Sequence, residues 1–332
     1  MTHPSFAPAI HPDNICEIAD FAELECLKRD DHNVSTTDIS RILTRSSGDE
    51  EDESDAADEA NEQFIIEAFA ECQDRLLHCG HNQKAYPFEV LHSGTLLQAR
   101  DSGKGKYISQ RALYVFLLLS TRMNMNSERK QGSDDATKIF EELGKEVGVR
   151  LWGGPCESVH GLIFGTGGQT AHLDDDDDFT EGVFKAAVDK LCRELGEGHG
   201  FQCNPGARVR ARDGKLDVVV WRRFTDGRAG QLIGFGQCKT GTHWKGDLTK
   251  LRLTGSFCKK WMQRSTAVDP VPLYFIADRE DSRYWRDTCI DGGILMDRCR
   301  IVEYSVDLPN PLLQRVRRWI GAACESQGLR WP

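Results

Sequence analysis

Residues 213–239 read Asp213-Gly-Lys-Leu-Asp217-Val-Val-Val-Trp221, then Arg222-Arg-Phe224-Thr-Asp226-Gly227-Arg-Ala-Gly230, then Gln231-Leu232-Ile-Gly-Phe-Gly-Gln237-Cys238-Lys239. Two apolar runs of strand length flank a polar segment whose Asp226-Gly227 pair is a strong turn signal, so a β-hairpin is expected. Strand side chains alternate with period two, which puts Gln237 and Lys239 on one face and Cys238 on the other. The hairpin can then bring Asp217, an acid inside an apolar run, to the Gln-x-Lys twenty residues later.

Working outward, Phe179–Leu195 carries Val183, Phe184, Val188, Leu191 and Leu195 at helical spacing, and Gly196 ends the helix. Residues 207–211 read as a short strand with Arg208, Arg210 and Arg212 alternating outward. A helix is expected over 248–262, a buried strand of the parallel type over 273–277, another strand over 300–304 and a closing helix over 311–324. The order helix, three strands, helix, strand, helix, strand, helix describes an α/β layer structure.

This constellation and order resemble the PD-(D/E)xK nuclease superfamily, most closely restriction-endonuclease-like proteins of the Mrr type, in which Gln often replaces the second acid. The likeness covers about residues 179–304. It rests on the Leu-rich helix ending in Leu195-Gly196, the Asp213-Gly-x-x-Asp217 strand entry and the Gln237-x-Lys239 exit. It implies a restriction-endonuclease-like core in αβββαβ order, a central mixed sheet flanked by helices, in a nuclease-like domain over 179–332. The implied activity is Mg²⁺-dependent endonucleolytic hydrolysis of DNA, with Mn²⁺ able to substitute, in prokaryotic defence against foreign DNA. DNA is expected in preference to RNA, with a homodimer or partner proteins of a defence system as the assembly. In one departure from the pattern, the helix acid expected near Phe184 falls on Lys185, leaving Glu181, one turn earlier, as the local substitute.

The chemistry suits these residue types. Phosphodiester hydrolysis calls for a hard divalent cation, an activated water and relief of negative charge as it develops. Asp217 offers an anionic oxygen, Gln237 an amide oxygen, the Cys238 backbone a carbonyl and Glu181 a further carboxylate; Mg²⁺ takes few protein ligands and several waters. Lys239 would position or help deprotonate the attacking water and offset charge. His243 and Lys245, just beyond, and the Arg208–Arg212 row would contact flanking phosphates. Plainer roles exist for each: Asp217 as a solvated turn acid, Lys239 as an edge-strand lysine, Glu181 as a favourable charge at a helix N-terminus. A non-catalytic nucleic-acid-binding or assembly subunit with the same fold is the second expectation.

Residues 1–165 read as a mostly helical regulatory or interaction domain, with an acidic loop over 46–61. Asp49–Glu62 holds nine carboxylates and no base, and 174–178 is five consecutive aspartates. The chain as a whole carries 42 Lys+Arg against 52 Asp+Glu, a net of −10. Residues 201–332 hold 23 and 14, whereas residues 1–200 hold 19 and 38. That asymmetry directs the search for a polyanion site to the C-terminal segment. Apolar runs fall short of the ~18 residues a membrane span needs, and no basic, then apolar, leader opens the chain. The twelve cysteines include no C-x-x-C pair. Reduced thiols in a cytoplasmic protein are therefore expected rather than a disulfide or zinc framework.

Overall fold

In the computed structural model the two apolar runs pair as an antiparallel hairpin, Val218 opposite Gly236 and Arg222 opposite Leu232. Gly227 takes the left-handed conformation (φ 64°) that the turn needs. The structure describes residues 7–47, 55–80, 83–100, 106–123, 127–164, 177–202, 216–251 and 253–331.

In chain order the elements are α1 (Ile15–Lys28), β1 (Asn33–Ser35), α2 (Thr36–Ser47), α3 (Asp55–His78), β2 (Phe88–Leu91), β3 (Leu96–Ala99), α4 (Ile108–Arg122), β4 (Lys130–Gln131), β5 (Asp134–Asp135), α5 (Ala136–Leu151), β6 (Val159–Ile163), α6 (Asp177–Leu195), β7 (Val218–Arg222), β8 (Leu232–Lys239), α7 (Leu253–Trp261), β9 (Val271–Ile276), α8 (Trp285–Gly292), β10 (Ile294–Met296), α9 (Arg298–Glu303) and α10 (Asn310–Gln327). A 3₁₀ segment, Thr242–Leu251, leads into α7. The protein is thus α/β, and among the described residues no helix is long and apolar enough to cross a membrane.

The chain forms two compact units, one of residues 1–136, 277–283 and 297–332, the other of 137–276 and 284–296. The division therefore falls elsewhere than between 165 and 179, and the C-terminal helix α10 belongs with the N-terminal elements. Charge follows the units differently from the linear halves. The second unit carries 21 Lys+Arg against 20 Asp+Glu, the first 21 against 32. The basic excess of residues 201–332 falls almost wholly in the second unit, 15 Lys+Arg against 7 Asp+Glu, but residues 137–200 of the same unit offset it with 6 against 13, so net charge does not mark the sheet-bearing unit as a polyanion binder.

The second unit is built on a five-stranded sheet in the order β10-β9-β8-β7-β6. β7 runs antiparallel to both β6 and β8, while β8, β9 and β10 are parallel to one another. Helix α5 packs on one face through Gly144 and Gly148: a Cβ on either would lie 2.8 Å from Cys238 Sγ or Val220 Cγ1. On the other face Phe184, Val188 and Leu191 of α6 and Phe257 and Trp261 of α7 join Val219, Trp221, Ile233 and Phe235 in one apolar cluster. A second cluster, Trp244, Leu248, Tyr274, Ile276 and Leu295, covers β9 and β10.

The first unit holds α1–α4, the small sheet β1-β3-β2, the β4–β5 ladder, α9 and α10. Its interior is unusually charged. Asp20, Glu23, Arg75 and Arg298 are all fully buried. Asp20 accepts from Arg75 (2.7 Å), from both terminal nitrogens of Arg298 (2.7 and 2.9 Å) and from Arg122 (3.2 Å). Glu23 takes Arg75 (2.9 Å) and the hydroxyls of Tyr86 (2.6 Å) and Tyr114 (2.8 Å). Such a network is tolerated only because each charge is matched and hydrogen-bonded.

Several expectations are corrected. The acidic segment 46–61 is not a loop throughout: α2 runs to Ser47 and α3 begins at Asp55. Acidic residues are favourable in a first helical turn, which offsets their low propensity. Residues 300–304 are not a strand but lie in and after α9, because Asp297 accepts the Arg300 N–H (3.0 Å) and caps a helix there. The sheet strand in that region is β10. The strand expected over 207–211 and the aspartates 174–176 lie outside the described residues; the first strand before β7 in the sheet is β6.

At the start of α2, Ser35 Oγ accepts the Asp38 N–H (3.2 Å) while Asp38 Oδ2 accepts from the Ser35 N–H (3.0 Å), a reciprocal cap. Burial would raise the Asp38 carboxyl, but bonds from Ser35 and Arg29 outweigh it and bring the pKa down to about 2. Ser35→Ala should therefore cost about 1 kcal/mol at neutral pH. A depressed carboxylate stabilises above its unfolded value near 3.9 and loses this as pH falls toward the folded one. Urea midpoints of wild type and variant should accordingly converge between pH 4 and 2.

Candidate active site

The hairpin brings Asp217 to the Gln-x-Lys. The Asp217 N–H donates to the Gly236 carbonyl (3.0 Å), its carbonyl accepts from Phe164 (2.8 Å), and its carboxylate Oδ2 accepts the Cys238 N–H (2.7 Å). The acid is thus clamped at the β7 entry, half-buried, against the backbone that carries Gln237 and Lys239.

Gln237 is only 3% exposed, and its Oε1 is buried without a hydrogen-bond partner among the described residues. A buried amide oxygen in that state costs roughly 1–3 kcal/mol, so it marks a place where something else completes the shell. In the parallel register Gln237 lies beside Tyr274 and Lys239 beside Ile276, both in the cluster around Trp244. Gln237 and Lys239 therefore stand on the face between the two apolar clusters, at the carboxyl end of β8. Cys238 points the opposite way, toward Gly144 of α5. Burial pushes its thiol well above the usual range; the charges of Asp217 and Glu141 add to the rise and Lys239 opposes it.

Glu141 was not expected from the sequence. It sits on α5 one turn before Gly144, so the helix that lies flush on the sheet carries an acid toward Cys238. The legible signal was the Gly144-x-x-x-Gly148 spacing, which permits close helix–strand approach. Glu181 lies in α6, but its side chain is outside the described residues, as are Arg208, Arg210 and Arg212 altogether. His243 and Lys245 are exposed on the 3₁₀ segment that follows β8. Trp244 between them is buried, and its ring meets Tyr274 edge-on (6.0 Å), so it seals the sheet rather than facing solvent. Lys245 Nζ lies 5.4 Å from the ring centres of both Trp244 and Tyr284.

Among the described residues no group of three or more His, Cys, Asp and Glu side chains could by itself hold a metal ion. The donor set at this site is mixed, with an amide oxygen in place of one acid. It fits a weakly held hard cation: the unpartnered Gln237 Oε1 lies on the Gly236–Cys238 segment that Asp217 grips from both sides. No protein-family model, curated protein or solved structure matches the chain.

Proposed function

We propose that the chain is a metal-dependent nuclease of the PD-(D/E)xK, restriction-endonuclease-like kind, cutting DNA phosphodiester bonds in defence against foreign DNA. The observation that carries this is the clamp of Asp217 onto the Gln237–Lys239 strand end beside an unpartnered buried Gln237 Oε1. The passage α5-β6-β7-β8-α7-β9 supports it, being αβββαβ in order with α6 inserted between β6 and β7. In this arrangement α5 is the first helix of the core, and Glu141, on the Cys238 face, stands as a reassigned helix acid beside Glu181 of α6, the helix on the face that carries Gln237 and Lys239.

Asp217 and Gln237 Oε1 would hold a divalent cation, Mg²⁺ or Mn²⁺, with Glu141 adding negative charge. When bound, such a cation polarises the scissile phosphate and lowers the pKa of a water. Lys239 orients that water and offsets the charge that develops on the phosphate oxygens. His243 and Lys245 bind the flanking backbone, a contact that steers and positions without reading sequence.

A non-catalytic nucleic-acid-binding subunit is the second reading, favoured by the amide at position 237 and by the lack of a three-acid cluster among the described residues. Supercoiled and linear DNA incubated with Mg²⁺ or Mn²⁺ separates the two. Cutting by wild type that is lost in Asp217→Ala and in Lys239→Ala supports the nuclease; cutting that persists in both variants overturns this site. Binding without cutting under every metal condition supports the second reading. Glu141→Gln tests the reassigned helix acid. Its cleavage rate should fall roughly tenfold or more, about 1.4 kcal/mol of barrier, with unchanged circular dichroism. An undiminished rate would remove Glu141 from the site.

A further inference from the structure

The 3₁₀ segment after β8 and the start of α8 place a cation and an exposed ring together beside the candidate site. Lys245 Nζ is 5.4 Å from the centre of the Tyr284 ring and equally far from that of Trp244. The two rings differ in what they can offer. Trp244 is 2% exposed and committed to the core, and its carbonyl accepts from the Tyr274 hydroxyl (3.0 Å). Tyr284 is 42% exposed, the N-cap residue of α8, while its neighbour Trp285 packs inward on the Trp244 cluster. Tyr284 is thus an exposed ring, backed by the half-buried Trp285 and with the Lys245 ammonium beside it.

Gln237 and Tyr274 are register neighbours, Tyr274 meets Trp244, and Trp244 meets Lys245. The ring and cation are therefore joined to the Asp217–Gln237–Lys239 strand end through three successive contacts. β8 and β9 are parallel, so both end on this side of the sheet.

We propose that Tyr284 is a base-stacking platform and Lys245 its phosphate anchor, so that the nucleic acid held at this site is single-stranded or frayed next to the scissile bond. The proposal rests on the nuclease reading for its location, but its chemistry is independent of cutting. A base in a duplex is already stacked and cannot lie on a protein ring, whereas an unpaired base of any identity can. A cation next to the ring adds backbone attraction that is sequence-tolerant and screened by salt.

The test measures binding of fluorescein-labelled oligothymidylate and of a blunt duplex of equal length by anisotropy. It is done in EDTA, where no cleavage occurs, with full-length wild type, Tyr284→Ala, Tyr284→Phe and Lys245→Ala. Tyr284→Ala should weaken single-strand binding about tenfold, within the range a lost base stack costs, and leave duplex binding within about twofold. Tyr284→Phe, which keeps the ring, should bind like wild type. Lys245→Ala should lower the salt dependence of single-strand binding. Equal loss for both ligands, or no loss in Tyr284→Ala, overturns the platform. If neither ligand binds wild type, the platform falls, and the cleavage assay with Mg²⁺ or Mn²⁺ decides the nuclease reading by itself. Binding that depends on Tyr284 without metal-dependent cutting overturns the nuclease reading and leaves the platform standing. Cutting that depends on Asp217 but is indifferent to Tyr284 does the reverse.

Discussion

Asp217→Asn is expected to abolish measurable DNA cleavage while leaving the fold intact, with a loss of about 10³-fold or more, some 4 kcal/mol of barrier. The asparagine is the informative substitution because its amide oxygen can still accept the Cys238 N–H, which Asp217 Oδ2 accepts at 2.7 Å. Only the negative charge is removed. Asp217→Ala removes both and should also loosen the junction of β7 and β8, visible as a lower melting temperature. A variant pair in which Asn is inactive and native-like, and Ala inactive and less stable, separates the chemical role of the carboxylate from its structural one. Lys239→Ala should cost about 10²-fold with little change in stability, as the loss of one electrostatic contact to a developing charge does. If Asp217→Asn retains activity, the carboxylate is a structural cap for the strand end and the site lies elsewhere.

The second large effect concerns folding. Asp20→Ala should cost about 3–5 kcal/mol, because it leaves buried guanidiniums without their shared carboxylate. Arg298 would keep the Ala277 carbonyl (3.0 Å), and Arg75 would keep Glu23 (2.9 Å) and Glu71 (2.9 Å), so the loss is partial. Burial alone would raise the Asp20 carboxyl, but Arg298, Arg75 and Arg122 outweigh it and hold it far below the carboxylate range. The stabilisation is therefore complete above the unfolded value near 3.9 and is lost progressively as pH falls below it. Chemical denaturation at pH 7 and pH 3 checks this. Wild type should lose more stability on acidification than Asp20→Ala, and an equal loss would show that the network does not couple to protons.

How much of this was legible depended on the range of the interaction. The β7–β8 hairpin could be read because its strands lie close in sequence and the turn between them is marked by Asp226-Gly227. β6 could not: Val159-His-Gly-Leu-Ile has two residues that break its apolar pattern, and α6 lies between it and its partner β7. That insertion also hid α5, which packs on β7 and β8 through Gly144 and Gly148 on the face opposite α6. At 300–304 the run Ile301-Val302 suggests a strand, and a single cap from Asp297 overrides it, since a satisfied helix terminus outweighs modest β-propensity.

Taken alone, the amino-acid order determined the hairpin, the shared face of Gln237 and Lys239 and the opposite face for Cys238, because period-two alternation is a property of one strand. The tertiary structure alone decided that Asp217 grips the Cys238 N–H, that Gln237 Oε1 has no partner among the described residues and that α5 lies flush on the Cys238 face. It also decided how charge is shared between units. The excess over 201–332 suggested a basic domain, yet the unit that carries it also takes in residues 137–200, whose 13 Asp+Glu against 6 Lys+Arg all but cancel it. Linear position assigns charge to segments, whereas a field acts through space, so only the folded chain shows which residues share it.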